Sequence, residues 1–120
     1  MTDEKYQGWA EGLHHTVVYS RISSINSEVV SAKLAALEGA EDAEVFSSGM
    51  AAISTTLMTL LSKGDHIIAT PDCYGGTYGL LTENLPRLGI EVTMADVRDP
   101  ESYQNAVQEN TKVLYVETMT

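Results

Sequence analysis

Ser47, Ser48 and Gly49 combine small side chains with the expected start of a helix. They follow residues 45–46, which predict a short strand, and they precede the apolar helical pattern that begins near Met50. The first N–H groups of a helix lack partners within the helix, and the helix dipole adds partial positive charge there. Small residues let a phosphate approach these groups closely. The pattern equally fits a serine-capped helix start with no ligand, which is the more common case.

Two other segments offer aromatic and basic groups. Tyr19 and Arg21 are two positions apart, so in an extended segment they point to one face, where a phenol and a guanidinium can bind one phosphate. Tyr74 follows a predicted strand and precedes Gly75 and Gly76, which leave room for its ring to lie flat against another ring. A surface arm and a core tyrosine are the ordinary alternatives for these two segments.

The remaining reactive side chains carry less information. Glu117 closes the last predicted strand, where a solvated carboxylate is as common as a functional one. Cys73 has no basic neighbour in the sequence and fits a small buried residue. His14 and His15 lack a third ligand, so no metal site is predicted. The sequence contains neither G-x-G-x-x-G nor G-x-x-x-x-G-K-[ST], so nicotinamide and ATP binding have no support.

The elements that must position these groups alternate between strand and helix. Strands are predicted at residues 45–46, 66–70, 90–94 and 113–116, with 90–94 near a sheet edge. Helices are predicted at 26–38, from about 50 to 63, from 78 to 88 with a last turn distorted by Pro86, and at 100–109. The buried stripe expected for the second helix consists of Ile53, Leu57, Leu60 and Leu61. This order predicts an α/β fold with a mainly parallel sheet flanked by helices, right-handed crossovers, and a site at the carboxyl ends of the strands.

Bulk composition narrows the class of protein further. A length of 120 residues fits one domain with its own core. Seven basic and 17 acidic residues give a net charge of −10, which disfavours nucleic acid and anionic membrane partners. The single cysteine excludes an internal disulfide and favours a reducing, cytoplasmic setting. The sequence shows no membrane-spanning run and no signal-peptide pattern at its start, so we expect a soluble, unexported protein.

Five motifs in register resemble the N-terminal part of the Cys/Met-metabolism enzymes that depend on pyridoxal phosphate (PLP), such as cystathionine gamma-lyase, methionine gamma-lyase and cystathionine gamma-synthase. The motifs are Tyr19-Ser20-Arg21, Leu34-Ala35-Ala36-Leu37-Glu38-Gly39, residues 46–53, residues 74–77 and Tyr115-Val116-Glu117-Thr118. The resemblance implies the N-terminal part of the large domain of an aspartate-aminotransferase-like, fold type I PLP enzyme. Methionine gamma-lyases often carry cysteine at the position of Gly76, so the glycine leans away from a strict methionine gamma-lyase.

The resemblance also implies a role for each motif. The implied cofactor-binding residues are Tyr19, Arg21, Ser48, Gly49, Met50 and Tyr74. Backbone N–H groups at the helix start would hold the cofactor phosphate, and Tyr19 and Arg21 would reach it from a neighbouring subunit. Tyr74 would stack on the pyridine ring and act as a catalytic residue whose hydroxyl helps to activate the substrate amine or the leaving group.

Residues 1–25 are accordingly expected to form an arm that contacts a neighbouring subunit, and residues 26–120 a partial PLP-binding α/β domain. The implied enzyme is a cytoplasmic lyase or transferase of trans-sulfuration and amino-acid biosynthesis. It would eliminate or replace groups at Cβ or Cγ of sulfur amino acids or O-acyl-homoserines. The implied assembly is a homotetramer built from dimers that share active sites.

The lysines of the chain bear on whether these 120 residues can act alone. They are Lys5, Lys33, Lys63 and Lys112, and none stands in the Ser-x-Thr-Lys context of the family's Schiff-base lysine. The chain by itself is therefore expected to be inactive. The alternatives are a short non-catalytic binding or assembly module that keeps the fold, and a small anion-binding domain unrelated to PLP.

Overall fold

The computed structural model describes residues 24–118, which fall into two compact units divided between Phe46 and Ser47. In the first unit, helix α1 spans Ile25–Glu38. Gly39 ends this helix with a φ of 66°, a left-handed conformation that glycine adopts without a steric penalty, and its N–H donates to the Ala35 carbonyl. The helix predicted from residue 26 to residue 38 is confirmed. Within α1 only Ala35 is buried, and the apolar residues Val29, Val30, Leu34 and Leu37 are exposed.

The second unit alternates helices and strands. Its elements are α2 (Gly49–Leu60), β1 (His66–Ala69), α3 (Gly75–Gly79), a π-helical segment (Leu80–Asn84), α4 (Leu85–Arg87), β2 (Glu91–Met94), α5 (Pro100–Ala106) and β3 (Thr111–Tyr115). The strands form a parallel sheet in the order β2-β1-β3. The predicted parallel α/β fold is confirmed, and so is the edge position of β2 within this described sheet.

The central strand β1 is buried along its whole length. Ile67 and Ala69 belong to a core that also includes residues at the end of α2, in the π-helical segment, in α4 and directly before β2. The buried members of this core are Leu57, Leu61, Ile67, Ala69, Leu80, Leu81, Leu85 and Ile90. Leu60 was expected in the buried stripe of α2, but 57% of it is exposed. Leu57 and Leu61 are four positions apart and share a helix face, whereas Leu60 is rotated by about 100° from Leu61 and points away from the core.

The strand predicted at residues 45–46 is wrong. Neither residue belongs to a strand, and the Val45 N–H donates to the carboxylate of its neighbour Glu44 at 3.3 Å. Two apolar residues do not by themselves provide a hydrogen-bonding neighbour, and a strand requires one.

The helix around Pro86 is irregular over a longer stretch than the sequence predicts. The expected distortion of the last turn lies instead at the π-helical segment, where the Leu85 N–H donates to the Leu80 carbonyl, five residues back. Proline has no N–H, and its ring clashes with the carbonyl four positions earlier in a regular α-helix, here that of Thr82. The wider π turn directly before Pro86 removes this conflict.

Helix α5 starts where the sequence predicts and ends earlier. The Asp99 carboxylate accepts the Glu101 N–H at 3.1 Å, and Pro100 occupies the first turn, where its missing N–H is harmless. The helix ends at Ala106 instead of residue 109, because the Gln108 N–H turns to the Thr111 hydroxyl at 2.7 Å.

A buried histidine links all three strands. His66, the first residue of β1, has no exposed surface. Its Nδ1 lies 2.7 Å from the Thr111 hydroxyl of β3, and its Nε2 lies 2.9 Å from the Thr93 hydroxyl of β2. Because both ring nitrogens are paired, this histidine has a structural role in the sheet. It lies at the amino end of β1, opposite to the carboxyl edge of the sheet.

Candidate functional site

The loops that follow β1 and β3 meet at the carboxyl edge of the sheet. Ala69 pairs with Tyr115 at the ends of the two strands, and the Thr70 N–H donates to the Tyr115 carbonyl at 3.2 Å. The chain then turns through Pro71 and Asp72 to reach Tyr74 and α3. Ligands of open α/β sheets bind at this edge, so the location agrees with the sequence-based expectation.

The start of α2 has the geometry of an anion site. Ser48 is extended, and its hydroxyl accepts the Ala51 N–H at 3.1 Å. No acceptor within residues 24–118 contacts the N–H groups of Gly49 and Met50. The first turn carries no acidic residue, and the space around Gly49 is open where a Cβ would stand. The N–H groups of Gly49 and Met50 can therefore bind an anion, and the positive end of the helix dipole favours that binding.

Tyr74 stands directly before α3 with 64% of its surface exposed. A Cβ placed on Gly76 would lie 2.8 Å from Cε1 of the Tyr74 ring and 3.0 Å from Sδ of Met50. The ring and the thioether thus lie on either side of Gly76, and a Cβ at this position would require one of them to shift. The Thr77 hydroxyl donates to the same Met50 sulfur at 3.7 Å. The structure therefore brings Tyr74 next to the first turn of α2.

A carboxylate at the end of β3 holds the Tyr74 backbone. The Tyr74 N–H donates to Oε2 of Glu117 at 2.9 Å, and the Tyr115 hydroxyl donates to Oε1 of Glu117 at 2.5 Å. Sequence reasoning gave Glu117 no defined role and did not single out Tyr115 as a functional residue. The signal was present in their spacing, because residues two apart in an extended segment share one face.

These contacts change the acid–base behaviour of the cluster. Burial and the bond to Glu117 raise the pKa of Tyr115 to about 12. The Tyr115 hydroxyl and the Tyr74 N–H lower the pKa of the Glu117 carboxyl. Burial, followed by the nearby charges of Glu117 and Asp72, raises the pKa of the Cys73 thiol. Cys73 thus stays protonated, which agrees with its prediction as an unreactive residue.

Tyr19 and Arg21, predicted to bind phosphate from a neighbouring subunit, lie outside the described residues. Ser48, Gly49, Met50 and Tyr74 lie inside them and within one unit.

Between residues 24 and 118, no three histidine, cysteine or acidic side chains are grouped as a metal site would require. In the same part of the chain, no helix has both the length and the apolar character needed to cross a membrane.

Comparison with known proteins places the chain in a family. A sequence model of the Cys/Met metabolism PLP-dependent enzymes matches residues 2–120. The chain belongs to this family. Its cofactor is pyridoxal 5'-phosphate, which fits a site composed of free N–H groups at a helix start beside an exposed aromatic ring.

Individual relatives of this family share a large part of the sequence. The L-methionine gamma-lyase of Porphyromonas gingivalis is 45% identical over 101 residues, which make up 84% of this chain and 25% of the relative. The cystathionine gamma-lyase of Bacillus subtilis is 44% identical over 109 residues, 91% of this chain and 28% of the relative. The chain therefore spans about a quarter of the length of the curated relatives it matches.

A solved structure shows the same fold. It is a Campylobacter jejuni protein, provisionally assigned as an O-acetylhomoserine (thiol)-lyase, that contains N'-pyridoxyl-lysine-5'-monophosphate. Its TM-score is 0.87 and its identity 31%, covering 94% of this chain and 28% of that protein. The expected fold, the N-terminal part of the large domain of a fold type I PLP enzyme, is confirmed.

Proposed function

We propose that these residues are the phosphate-binding and ring-stacking portion of an enzyme that eliminates or replaces a group at Cβ or Cγ of a sulfur amino acid or an O-acyl-homoserine. One observation carries the proposal. The first turn of α2, which carries the N–H groups of Gly49 and Met50, lies next to the exposed ring of Tyr74, because the Met50 sulfur and the Tyr74 ring flank Gly76. The relatives, named as lyases of methionine and cystathionine, support this class of substrate.

The start of α2 binds the cofactor phosphate in this proposal. Ser48 fixes the first turn through its bond to the Ala51 N–H, which leaves Gly49 and Met50 as the two donors. Met50 contributes its backbone N–H, while its side chain packs between Gly76 and Thr77. Tyr19 and Arg21 of a neighbouring subunit complete the phosphate site, so the active enzyme is at least a dimer and, by the family resemblance, a cytoplasmic homotetramer.

Tyr74 supplies the aromatic surface and a proton carrier. Its ring stacks on the pyridine ring, and its hydroxyl holds or moves a proton at the substrate amine or at the leaving group. PLP, when bound, acts as the electron sink for bond cleavage at the substrate carbons. Residues 1–25 act as the arm that reaches the neighbouring subunit, and residues 26–120 as part of the PLP-binding domain.

We further propose that the 120-residue chain has no activity of its own. None of its four lysines stands in the Ser-x-Thr-Lys context of the family, and PLP chemistry in this family requires a covalently attached lysine. Residues 1–120 thus provide binding groups, and the lysine comes from another part of the complete protein.

Activity of the complete protein that contains these residues tests the proposal. With PLP added, it is assayed for release of a 2-oxo acid from cystathionine, methionine and cysteine, and for replacement of the acetoxy group of O-acetylhomoserine by sulfide, with release of acetate. We expect turnover of at least one substrate, and a loss of at least 100-fold in kcat/KM for Tyr74→Phe. Absence of turnover with every substrate, in a protein that binds PLP, would refute the proposed reaction and favour a binding or assembly module.

A further inference from the structure

We propose that Glu117 is a positioning residue that fixes Tyr74 at the cofactor site by binding its backbone N–H to the end of β3. The role given to this contact rests on the proposed function, in which Tyr74 stacks on PLP. The contact itself is independent of that function. Glu117 and Tyr74 are 43 residues apart in sequence and belong to different loops of the same unit.

The loop that carries Tyr74 has few other bonds to hold it. Between β1 and α3, the Asp72 N–H donates to the Thr70 hydroxyl and the Cys73 N–H donates to the Pro71 carbonyl. Both bonds are local to the loop. The Tyr74 side chain is 64% exposed, so burial does not fix its position. The bond from the Tyr74 N–H to Glu117 therefore ties the residue directly to the sheet.

The Glu117 carboxylate is itself held in place from the sheet side. Its second oxygen accepts the hydroxyl of Tyr115, which is the last residue of β3 and packs against the hydrophobic core. Hydrogen bonds to an ionised acceptor are stronger than neutral ones. The carboxylate with its two donors thus forms a clasp, which we define as Tyr74 N–H, Glu117 and Tyr115 OH.

Among the groups around the clasp, the hydroxyls and the N–H favour its charged form, and a nearby carboxylate disfavours it. Tyr115 and Thr77 offer hydroxyls, the Cys73 thiol stays protonated, and Asp72 is the nearby second carboxylate. The two donors lower the pKa of Glu117, so the carboxylate is ionised throughout the neutral range. The clasp is then complete at neutral pH.

The missing side chain of Gly76 leaves space for the ring of Tyr74. Any side chain there would lie under 3.0 Å from the ring, as the 2.8 Å distance to Cε1 shows. Tyr74 is therefore held at its N–H by Glu117 while its ring occupies the space that Gly76 leaves free. A stacking residue held in this way pays less conformational entropy when a flat ligand binds.

Nuclear magnetic resonance of the full 120-residue chain tests the clasp without any cofactor. We expect the Tyr74 amide proton shift to follow the titration of the Glu117 carboxyl, with a midpoint below the ordinary glutamate value of 4.5. In Tyr115→Phe the midpoint should rise towards that value. In Glu117→Gln the amide oxygen still accepts the Tyr74 N–H, so protection persists and the titration disappears.

Hydrogen exchange supplies the second readout. Glu117→Ala should speed exchange of the Tyr74 amide by about tenfold, while Asp72→Asn, a change in the same loop, should leave it as in the parent chain. Equal exchange in Glu117→Ala and Asp72→Asn, or a Tyr74 amide that does not titrate, would overturn the proposal. Asp72 is exposed, Glu117 is half-buried, and Tyr115→Phe keeps the aromatic ring that packs against the core, so all variants are expected to remain folded.

The purpose of the clasp is tested on the complete protein with PLP. Glu117→Ala should reduce the circular dichroism of the cofactor band, and Glu117→Gln should restore most of it. If the complete protein binds no PLP, the proposed function fails while the amide titration still decides the clasp. If PLP binds and its dichroism is the same in Glu117→Ala and in Asp72→Asn, the positioning role is refuted.

Discussion

The backbone N–H of Tyr74 lies 2.9 Å from Oε2 of Glu117 and joins the loop after β1 to the end of β3. This bond connects a residue with a proposed part in catalysis to the segment directly after β3, which pairs with the fully buried strand β1. The exposed ring of Tyr74 is thus carried on an anchored backbone. Such an arrangement keeps a side chain accessible to a ligand while its backbone position is fixed.

Gly76 and Gly75 make a matched pair for testing how the ring is placed. In Gly76→Ala the new methyl group would stand 2.8 Å from the Tyr74 ring, whereas nothing lies within 4 Å of the corresponding position in Gly75→Ala. We expect Gly76→Ala to displace the ring and weaken PLP binding by about tenfold or more. Gly75→Ala should bind PLP like the parent. Ring-proton shifts of Tyr74 check the displacement, and equal affinities in both variants would contradict it.

The phenol of Tyr115 makes the free energy of unfolding change with pH in the alkaline range. Because the pKa of Tyr115 rises from its ordinary 10.0 to about 12 in the folded chain, the fold favours the neutral phenol. This stabilisation is complete below pH 10 and is lost as the pH rises through about 12. We expect the free energy of unfolding to fall across this window.

Two measurements on Tyr115 check that expectation. Ultraviolet absorbance of tyrosinate should show one of the six tyrosines ionising later than an ordinary phenol. In Tyr115→Phe the late-ionising group should be absent, and the fall in unfolding free energy over the window should be smaller. A late tyrosine that persists in Tyr115→Phe would show that another residue is responsible.

Parts of this fold could be predicted from the sequence because their signals lie in neighbouring residues. The end of α1 could be predicted because Gly39 provides the left-handed cap, and the start of α5 because Asp99 and Pro100 are a cap and a first-turn residue. The strand at residues 45–46 could not be judged, because pairing depends on a partner elsewhere in the chain. The clasp was missed for the same reason, since Tyr74 and Glu117 meet only after the sheet has formed.

His66 should contribute strongly to the stability of the sheet. His66→Ala removes a fully buried ring, leaves the Thr93 hydroxyl without its ring partner, and leaves the Thr111 hydroxyl with only the Gln108 N–H. We expect the free energy of unfolding in urea to drop by about 2–4 kcal/mol. Lys112→Ala, at an exposed position of β3, should change it by less than about 0.5 kcal/mol. Similar values for the two variants would show that the histidine bridge adds little.

Ser48 should stabilise the start of α2. Its hydroxyl accepts the Ala51 N–H at 3.1 Å, and loss of such a cap costs about 1 kcal/mol. Ser48→Ala is therefore expected to lower the free energy of unfolding by this amount. Ser47→Ala provides the control, because Ser47 is also exposed and precedes the helix. If Ser47→Ala has the larger effect, the helix start is capped differently.

We propose that the start of α2 binds the phosphate of PLP while Tyr74 stacks on its ring. The most direct measurement follows the amide signals of Gly49 and Met50 and the ring signals of Tyr74 during separate titrations with PLP, pyridoxal and inorganic phosphate. PLP should shift both sets, phosphate should shift only the amides, and pyridoxal should leave the amides unchanged. Amides that respond to phosphate but not to PLP, or a Tyr74 ring that PLP does not shift, would contradict the claim.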